Sequence, residues 1–483
     1  MNIAWQEVRE KFRQIWGYED FRPPQGEIVK TLLAGKDALI VLPTGGGKSI
    51  CFQLPALLQT GLTLVISPLV ALMENQVNQL KQLGLPGGLL HSELPRSERQ
   101  KTFQAIAKQQ LSLLYLSPET LLSNALWKII TVPEIKITGL IIDEVHCLTQ
   151  WGTTFRPAYR RLGAVRRSLL RHKPTGTKIA IAAFTATADP QAQREISQAL
   201  ELNQPETFLI SPYRNNLNLQ IKTVWTPRGR RQEMLRFIQA HSRQSGLVYV
   251  RSRQDSLTLA NWFKSQGYTA VAYHAGVATI ERRSVEHNWI TGNIQFVVCT
   301  SAFGMGIDKP DVRWVVHYHA PELLAEYIQE VGRGGRDGKP AAALTLISEP
   351  TGLLNPEDKQ RSQFFSRKLE QQYRQAKHLV KQLPNQGKIS EIKSQFPQGE
   401  ITLGILHSLG LLSWQDPFHY RKRSSQVAFD QLLSRQKRNQ KQMQQYLKTK
   451  QCRWQYLLQA FGFRQEAQRF KCGICDNCRK LKY

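Results

Sequence analysis

Short apolar runs alternate with amphipathic stretches over the first three quarters of the chain. After a break at Pro23-Pro24 the runs fall at 37–42, 62–67, 111–116, 138–142 and 178–183. A polar stretch, Ser211-Pro212-Tyr213-Arg214-Asn215-Asn216, then reads as a linker. Further runs follow at 246–250, 269–273, 295–300, 314–318 and 342–347. Strand and helix in alternation predict parallel sheets covered on both faces, so two α/β halves are expected. Residues 1–36 read as helical. Beyond Pro350 the pattern is helical, polar and basic, and 388–414 reads as helix, turn, helix and then Gly410-Leu411-Leu412-Ser413-Trp414. That spacing fits a small winged helix whose second helix would meet nucleic acid, and equally a plain helical spacer. The expected division is 1–208, 209–350, 351–440 and 441–483.

Charge adds a partner to this picture. Lys and Arg number 65 against 37 acidic residues, a net charge of +28, and 25 basic against 7 acidic residues lie between Lys359 and Tyr483. Each cation near a phosphate releases a condensed counterion, so a polyanion is the expected partner. No apolar run is long enough for a membrane span, and the first residues lack the basic and apolar regions of a signal peptide. No membrane partner and a cytoplasmic location are the expectations.

Three motifs carry the chemistry. Leu42-Pro43-Thr44-Gly45-Gly46-Gly47-Lys48-Ser49 lies between an apolar run and an apolar helix. Glycines let backbone N–H groups curl around a phosphate, and a helix N-terminus favours the anion. Lys48 is expected to reach the β- and γ-phosphates of ATP and Ser49 to ligate Mg²⁺. Asp143-Glu144 follows the run ending at Ile142, which puts both carboxylates at a sheet's C-terminal edge. Asp143 is expected to hold Mg²⁺ through water, and Glu144 to orient or deprotonate the attacking water. Gln329-Glu330-Val331-Gly332-Arg333-Gly334-Gly335-Arg336 brings two arginines three residues apart, on one face if the stretch is helical. Arg336 is expected as an arginine finger, with Arg333 beside it. Phosphate, metal and arginine functions divided between two halves predict an ATPase whose site lies between two domains, the layout of a motor.

Four of seven cysteines gather late in the chain: Cys452, then Cys472, Cys475 and Cys478. Four thiolates in this arrangement suit tetrahedral Zn²⁺, while the close spacing of the last three also fits an iron–sulfur cluster. Cys51, Cys147 and Cys299 are scattered and read as small core residues.

Gly17-Tyr18, Phe21-Arg22-Pro23-Pro24-Gln25, the phosphate loop, Asp143-Glu144-Val145-His146 and Phe184-Thr185-Ala186-Thr187-Ala188-Asp189 together resemble a superfamily 2 helicase of the RecQ family, of the shorter bacterial type. The resemblance covers about 12 to 347 and the terminal cysteines. It implies two RecA-like parallel-sheet domains, then a mostly helical region with a zinc-binding module, and it favours structural zinc over iron. It also implies that Gln25 reads the adenine edge while Tyr18 and Arg22 sandwich the ring, chemistry that suits an amide, an aromatic and a guanidinium. His146 to Pro157 resembles the family's aromatic-rich loop, which senses single-stranded DNA and couples it to ATP. There Trp151 and Phe155 are expected to stack on bases and Arg156 to meet a phosphate or carboxylate. The family commonly has His-Asp where Thr153-Thr154 stand, a departure bearing on how strongly DNA is coupled.

Tyr273-His274-Ala275-Gly276 and Thr300-Ser301 through Asp308 also match family motifs. Thr300 and Ser301 are expected on DNA phosphate, and Asp308 on the ATP ribose or the arginine motif. The activity the resemblance implies is ATP-dependent unwinding of DNA, 3′ to 5′, in repair or recombination. Single-stranded DNA and tailed or branched duplexes are the expected substrates, with a single-strand-binding protein as a further candidate partner. Longer family members carry a winged helix after the zinc module, so here any such fold is expected before the cysteines, at 380–415. An RNA helicase and a nucleic-acid-binding protein with a decayed motor are the alternatives.

Overall fold

A computed structural model describes residues 3–43, 45–149, 156–304, 307–423 and 429–480. The chain forms two compact units. One comprises Met1–Leu42, Gly46–Ile210 and Gln371–Leu432; the other comprises Pro43–Gly45, Ser211–Glu370 and Leu433–Tyr483.

The first unit is built on seven strands: β1 (Ala38–Val41), β2 (Leu62–Ile66), β3 (Gly87–Leu90), β4 (Leu113–Leu116), β5 (Ile137–Ile142), β6 (Ala180–Thr185) and β7 (Glu206–Leu209). All pair in parallel, in the order β3-β4-β2-β5-β6-β1-β7. Successive β1 side chains serve opposite faces: Leu39 and Val41 join one apolar cluster, Ala38 and Ile40 the other. Burial on both faces is why these strands read as unbroken apolar runs. β6 lies between β5 and β1, so the turns after β1 and β5 flank it at one sheet edge.

The second unit repeats the plan with six parallel strands: β8 (Leu217–Val224), β9 (Gly246–Tyr249), β10 (Ala270–Tyr273), β11 (Phe296–Cys299), β12 (Trp314–His317) and β13 (Ala341–Ser348). Their order is β10-β11-β9-β12-β13-β8. Leu247 and Tyr249 face one cluster of this core, Val248 and Val250 the other. The helix Arg453–Ala460 closes one face, with Trp454 donating from its ring nitrogen to Leu217 O at 3.1 Å.

Two long helices, Glu357–Val380 and Phe429–Lys448, bracket a small insertion. It contains β14 (Gln386–Lys388), the helices Ile389–Gln395 and Gly399–Ser408, β15 (Leu412–Trp414) and β16 (His419–Lys422). The three strands form an antiparallel sheet ordered β14-β16-β15. Its second helix does not face outward as a nucleic-acid reader would. Gly399, Thr402, Leu403, Gly404, Ile405 and Leu406 are all buried, and the helix packs on the 3₁₀ helix Pro157–Arg161 and on Pro190–Ala199. Among the described residues no helix is long and apolar enough to cross a membrane.

Candidate functional site

The phosphate loop follows β1 directly and ends where the helix Lys48–Leu58 begins. Gly47 caps that helix at φ +70°, in the left-handed region, and a Cβ there would lie 2.3 Å from Gln25 Nε2. Both conditions select glycine. Gln25 is buried and tied down: its Oε1 accepts from Arg22 N at 2.9 Å, and its Nε2 donates to Gly46 O at 3.2 Å and Gly47 O at 3.4 Å. The glutamine expected on adenine is thus joined to the phosphate loop. Tyr18 and Arg22 remain exposed beside it, the Tyr18 ring 5.9 Å from Phe12. Thr44 lies outside the described residues.

Asp143 leaves the end of β5 with its N–H bonded to Ile66 O at 2.8 Å. Burial, followed by the neighbouring Glu144 charge, raises its carboxyl to about 6; the Lys48 ammonium opposes this. Lys48 and Asp143 are therefore electrostatic neighbours across the sheet edge. Glu144 sits at φ +48°, rare for a side chain bearing a Cβ, and its Oε2 lies 3.0 Å from His146 Nδ1. His146 Nδ1 is also 3.4 Å from Thr185 Oγ1, at the end of β6. Glu144 and the Phe184–Asp189 motif thus share one polar network. Asp189 caps the next helix, accepting from Gln191 N at 2.9 Å and Ala192 N at 2.7 Å.

Of the aromatic-rich stretch, Trp151 and Phe155 fall outside the described residues. Arg156 begins the described part, with Nη1 3.6 Å from Glu119 Oε1. Tyr159, three residues further, donates from its hydroxyl to Asp143 O at 3.0 Å.

In the second unit the arginine motif departs from expectation. The helix Leu324–Val331 stops at Gly332, and Arg333 and Arg336 lie in the turns beyond it, because three glycines within four residues end the helix. Arg333 donates to Gly304 O. Gly304 has φ +97°, and a Cβ there would collide with the guanidinium. Arg336 donates to Ile307 O at 3.1 Å and Asp308 Oδ1 at 2.8 Å. Both Nε groups are buried with no hydrogen-bond partner among the described residues. Thr300 and Ser301 follow β11 at the same sheet edge, both half-buried, Thr300 N bonded to Tyr273 O at 3.1 Å. His274 is buried, its Nδ1 accepting from Gly276 N at 3.1 Å.

Sequence reasoning missed the anchor under this motif. Glu330 receives two hydrogen bonds from Arg251, at 3.0 and 2.6 Å, and its Oε2 lies 3.0 Å from His317 Nε2. Burial alone would raise Glu330, but Arg251 and His317 outweigh it and hold the carboxyl at about 2. The only signal in the sequence was position: His317 ends β12, and Arg251 follows the end of β9, the strand beside it. Arg251→Ala is expected to cost about 3 kcal/mol in the second unit's stability, since it leaves a buried carboxylate without its guanidinium and with His317 as its remaining partner. Because the folded value is depressed, the Glu330 contribution is complete above pH 4.5 and is lost as pH falls through about 2. Chemical denaturation of wild type and variant from pH 8 down to about pH 1.5 checks both.

The ligand atoms of Cys452, Cys472, Cys475 and Cys478 all lie within 4.8 Å of one another. Backbone N–H groups point at the sulfurs: Cys472 to Cys452 Sγ at 3.3 Å, Cys475 to Cys472 Sγ at 3.3 Å, and Cys478 to Cys475 Sγ at 3.4 Å. Donors aimed at sulfur suit thiolates on a metal, and four sulfurs within this span fit Zn²⁺. Arg453 pairs with both Asp476 oxygens at 2.9 Å, and Asp476 accepts from Ile221 N at 3.1 Å, which fastens the cysteine module to β8.

Three family models match: DEAD/DEAH box helicase over 22–196, helicase conserved C-terminal domain over 229–338 and RecQ zinc-binding over 420–479. The chain is 51% identical, over 98% of both chains, to the Synechocystis protein named ATP-dependent DNA helicase RecQ. It is 39% identical to the Haemophilus influenzae protein of that name over 70% of this chain and 52% of that one, so it spans about half of that longer relative. Among solved structures, S. cerevisiae Dbp5 bound to RNA and ADP BeF3 superposes with TM-score 0.58, at 18% identity, over 74% of this chain and 93% of that one. Mycobacterium smegmatis helicase Lhr bound to ssDNA and AMP-PNP gives 0.56, at 20% identity, over 90% and 62%. These two show likeness of fold.

Proposed function

The chain belongs to the RecQ helicase family, and from that premise we propose that it is an ATP-dependent DNA helicase, translocating 3′ to 5′ in repair or recombination. The observation that carries the reading is the placement of Lys48, after β1, and Asp143-Glu144, after β5, on either side of β6 at one sheet edge, where the Lys48 charge acts on Asp143. Gly45–Gly47 present backbone N–H groups to the phosphates, and Lys48 neutralises the β- and γ-phosphate charge. Ser49 and Asp143 would hold Mg²⁺, which when bound neutralises phosphate charge. Glu144 orients the attacking water. Tyr18 and Arg22 stack on adenine, and Gln25 exchanges its phosphate-loop partners for the base edge. Arg333 and Arg336 meet the γ-phosphate, and Asp308 releases Arg336 to do so.

On the nucleic acid, Trp151 and Phe155 stack on bases, while Arg156, Thr300 and Ser301 meet phosphates. The +28 charge supports a DNA partner, with single strands and tailed or branched duplexes as substrates and a single-strand-binding protein as associate. Cys452, Cys472, Cys475 and Cys478 hold structural Zn²⁺, whose binding energy is folding energy for the module.

ATP-driven unwinding of duplexes with a 3′ or a 5′ single-stranded tail tests the proposal. Unwinding of the 3′-tailed duplex alone is the expected result; unwinding from a 5′ tail refutes the polarity, and stimulation by RNA but not DNA refutes the substrate. Trp151→Ala is expected to lower DNA stimulation of ATPase by about tenfold, the value of one lost base stack. Steady-state turnover with and without a single-stranded oligonucleotide measures it.

A further inference from the structure

The insertion at 381–423 is held to the first unit by the residues that follow the aromatic-rich stretch. Arg161 is buried, and it donates from Nη2 to Glu400 Oε1 at 3.1 Å and from Nη1 to Pro417 O at 3.4 Å. Arg167 donates to Trp414 O and pairs with Glu201 at 2.8 Å. Trp127 meets Phe418 edge-on, ring centroids 5.2 Å apart. Among the described residues, Glu400 also pairs with Lys393, at 3.6 Å.

Arg161 and Tyr159 belong to one 3₁₀ helix, Pro157–Arg161, and Tyr159 bonds to the Asp143 carbonyl. One short turn of chain therefore touches the insertion through Arg161 at its end and the backbone of Asp143 through Tyr159 at its middle. Arg156, expected on DNA, caps the same turn. A buried guanidinium is stable only while its acceptors stay in place, so Glu400 fixes where this turn sits.

We propose that the insertion is a brace that positions the 3₁₀ turn, and that Glu400 is a positioning residue for the coupling of DNA sensing to ATP hydrolysis. This rests on the reading of His146–Pro157 as the DNA-sensing stretch. The buried second helix gives the insertion a protein partner in place of a DNA groove.

The test is ATP turnover of full-length Glu400→Gln, Glu400→Asp and Phe418→Ala, each with and without a saturating single-stranded oligonucleotide, alongside Trp151→Ala. Basal turnover and oligonucleotide affinity are expected to stay within about twofold of wild type, while DNA stimulation in Glu400→Gln and Phe418→Ala falls about fivefold or more. Glu400→Asp, which keeps the charge, is expected to retain at least about half of the stimulation. Wild-type stimulation in both Glu400→Gln and Phe418→Ala, with Trp151→Ala uncoupled, overturns the brace and leaves the sensing stretch standing. Wild-type stimulation in Trp151→Ala overturns both. Equal loss of basal and stimulated turnover, with a lowered melting temperature, reduces Glu400 to a structural contact and also overturns the proposal.

Discussion

Lys48→Ala is expected to lower ATP turnover by at least about 100-fold, the usual cost of removing one preorganised charge donor from a transition state. Lys48 opens the helix after Gly47, and its charge is the largest of those opposing the raised value of Asp143. Its loss removes charge from the phosphates and also raises Asp143 further, so the carboxylate is less often ionised when metal arrives. Both effects act on hydrolysis. DNA binding through the basic surface should change little, because one charge in +28 is removed. Turnover measured beside oligonucleotide anisotropy separates the two, and retained turnover would refute the phosphate-loop assignment.

Arg336→Ala is the second large effect, expected to reduce kcat by about 10³-fold or more while ATP binding persists. Burial, then the adjacent Arg333, makes the Arg336 charge unfavourable, and Asp308 only partly offsets this. Two neighbouring guanidiniums, each with a buried N–H lacking a partner among the described residues, make a place that gains from an incoming anion. The γ-phosphate of the proposed reaction is the anion expected to satisfy both. Arg336→Lys should recover little, since an ammonium cannot reproduce the planar fork. Single-turnover hydrolysis together with binding of a fluorescent nucleotide tests this, and a loss below about tenfold would remove Arg336 from the finger role.

The interior strands were legible because burial on both faces demands unbroken apolar residues, as in Ala38–Val41 and Phe296–Cys299. Of the edge strands, β10 was legible and β3, β7 and β8 were not. β8 alternates polar residues along Leu217–Val224, β7 is mostly exposed, and β3 opens with Gly87-Gly88. An edge needs only one covered side, so its pattern resembles a loop. Motif chemistry was visible wherever residues are close in sequence, such as Lys48-Ser49 and Asp143-Glu144. The contacts of Arg251 with Glu330 and of Arg161 with Glu400 join positions 79 and 239 residues apart, and no local pattern encodes them. The condition on which the two arginines would share a helix face is not met, for a local reason: Gly332, Gly334 and Gly335 end the helix before them.

The docking of the insertion has a practical corollary for trimming the protein to a minimal motor. Cutting out 381–423 would look harmless, because the excised piece has its own sheet and lies outside both parallel-sheet cores. The cut would nevertheless strip Glu400 and Pro417 O from Arg161, Trp414 O from Arg167 and Phe418 from Trp127. A guanidinium and an indole would be left bare on the remaining surface, a patch suited to self-association. A shortened variant that precipitates or idles would then report that wound, and say nothing about whether the excised segment handles DNA.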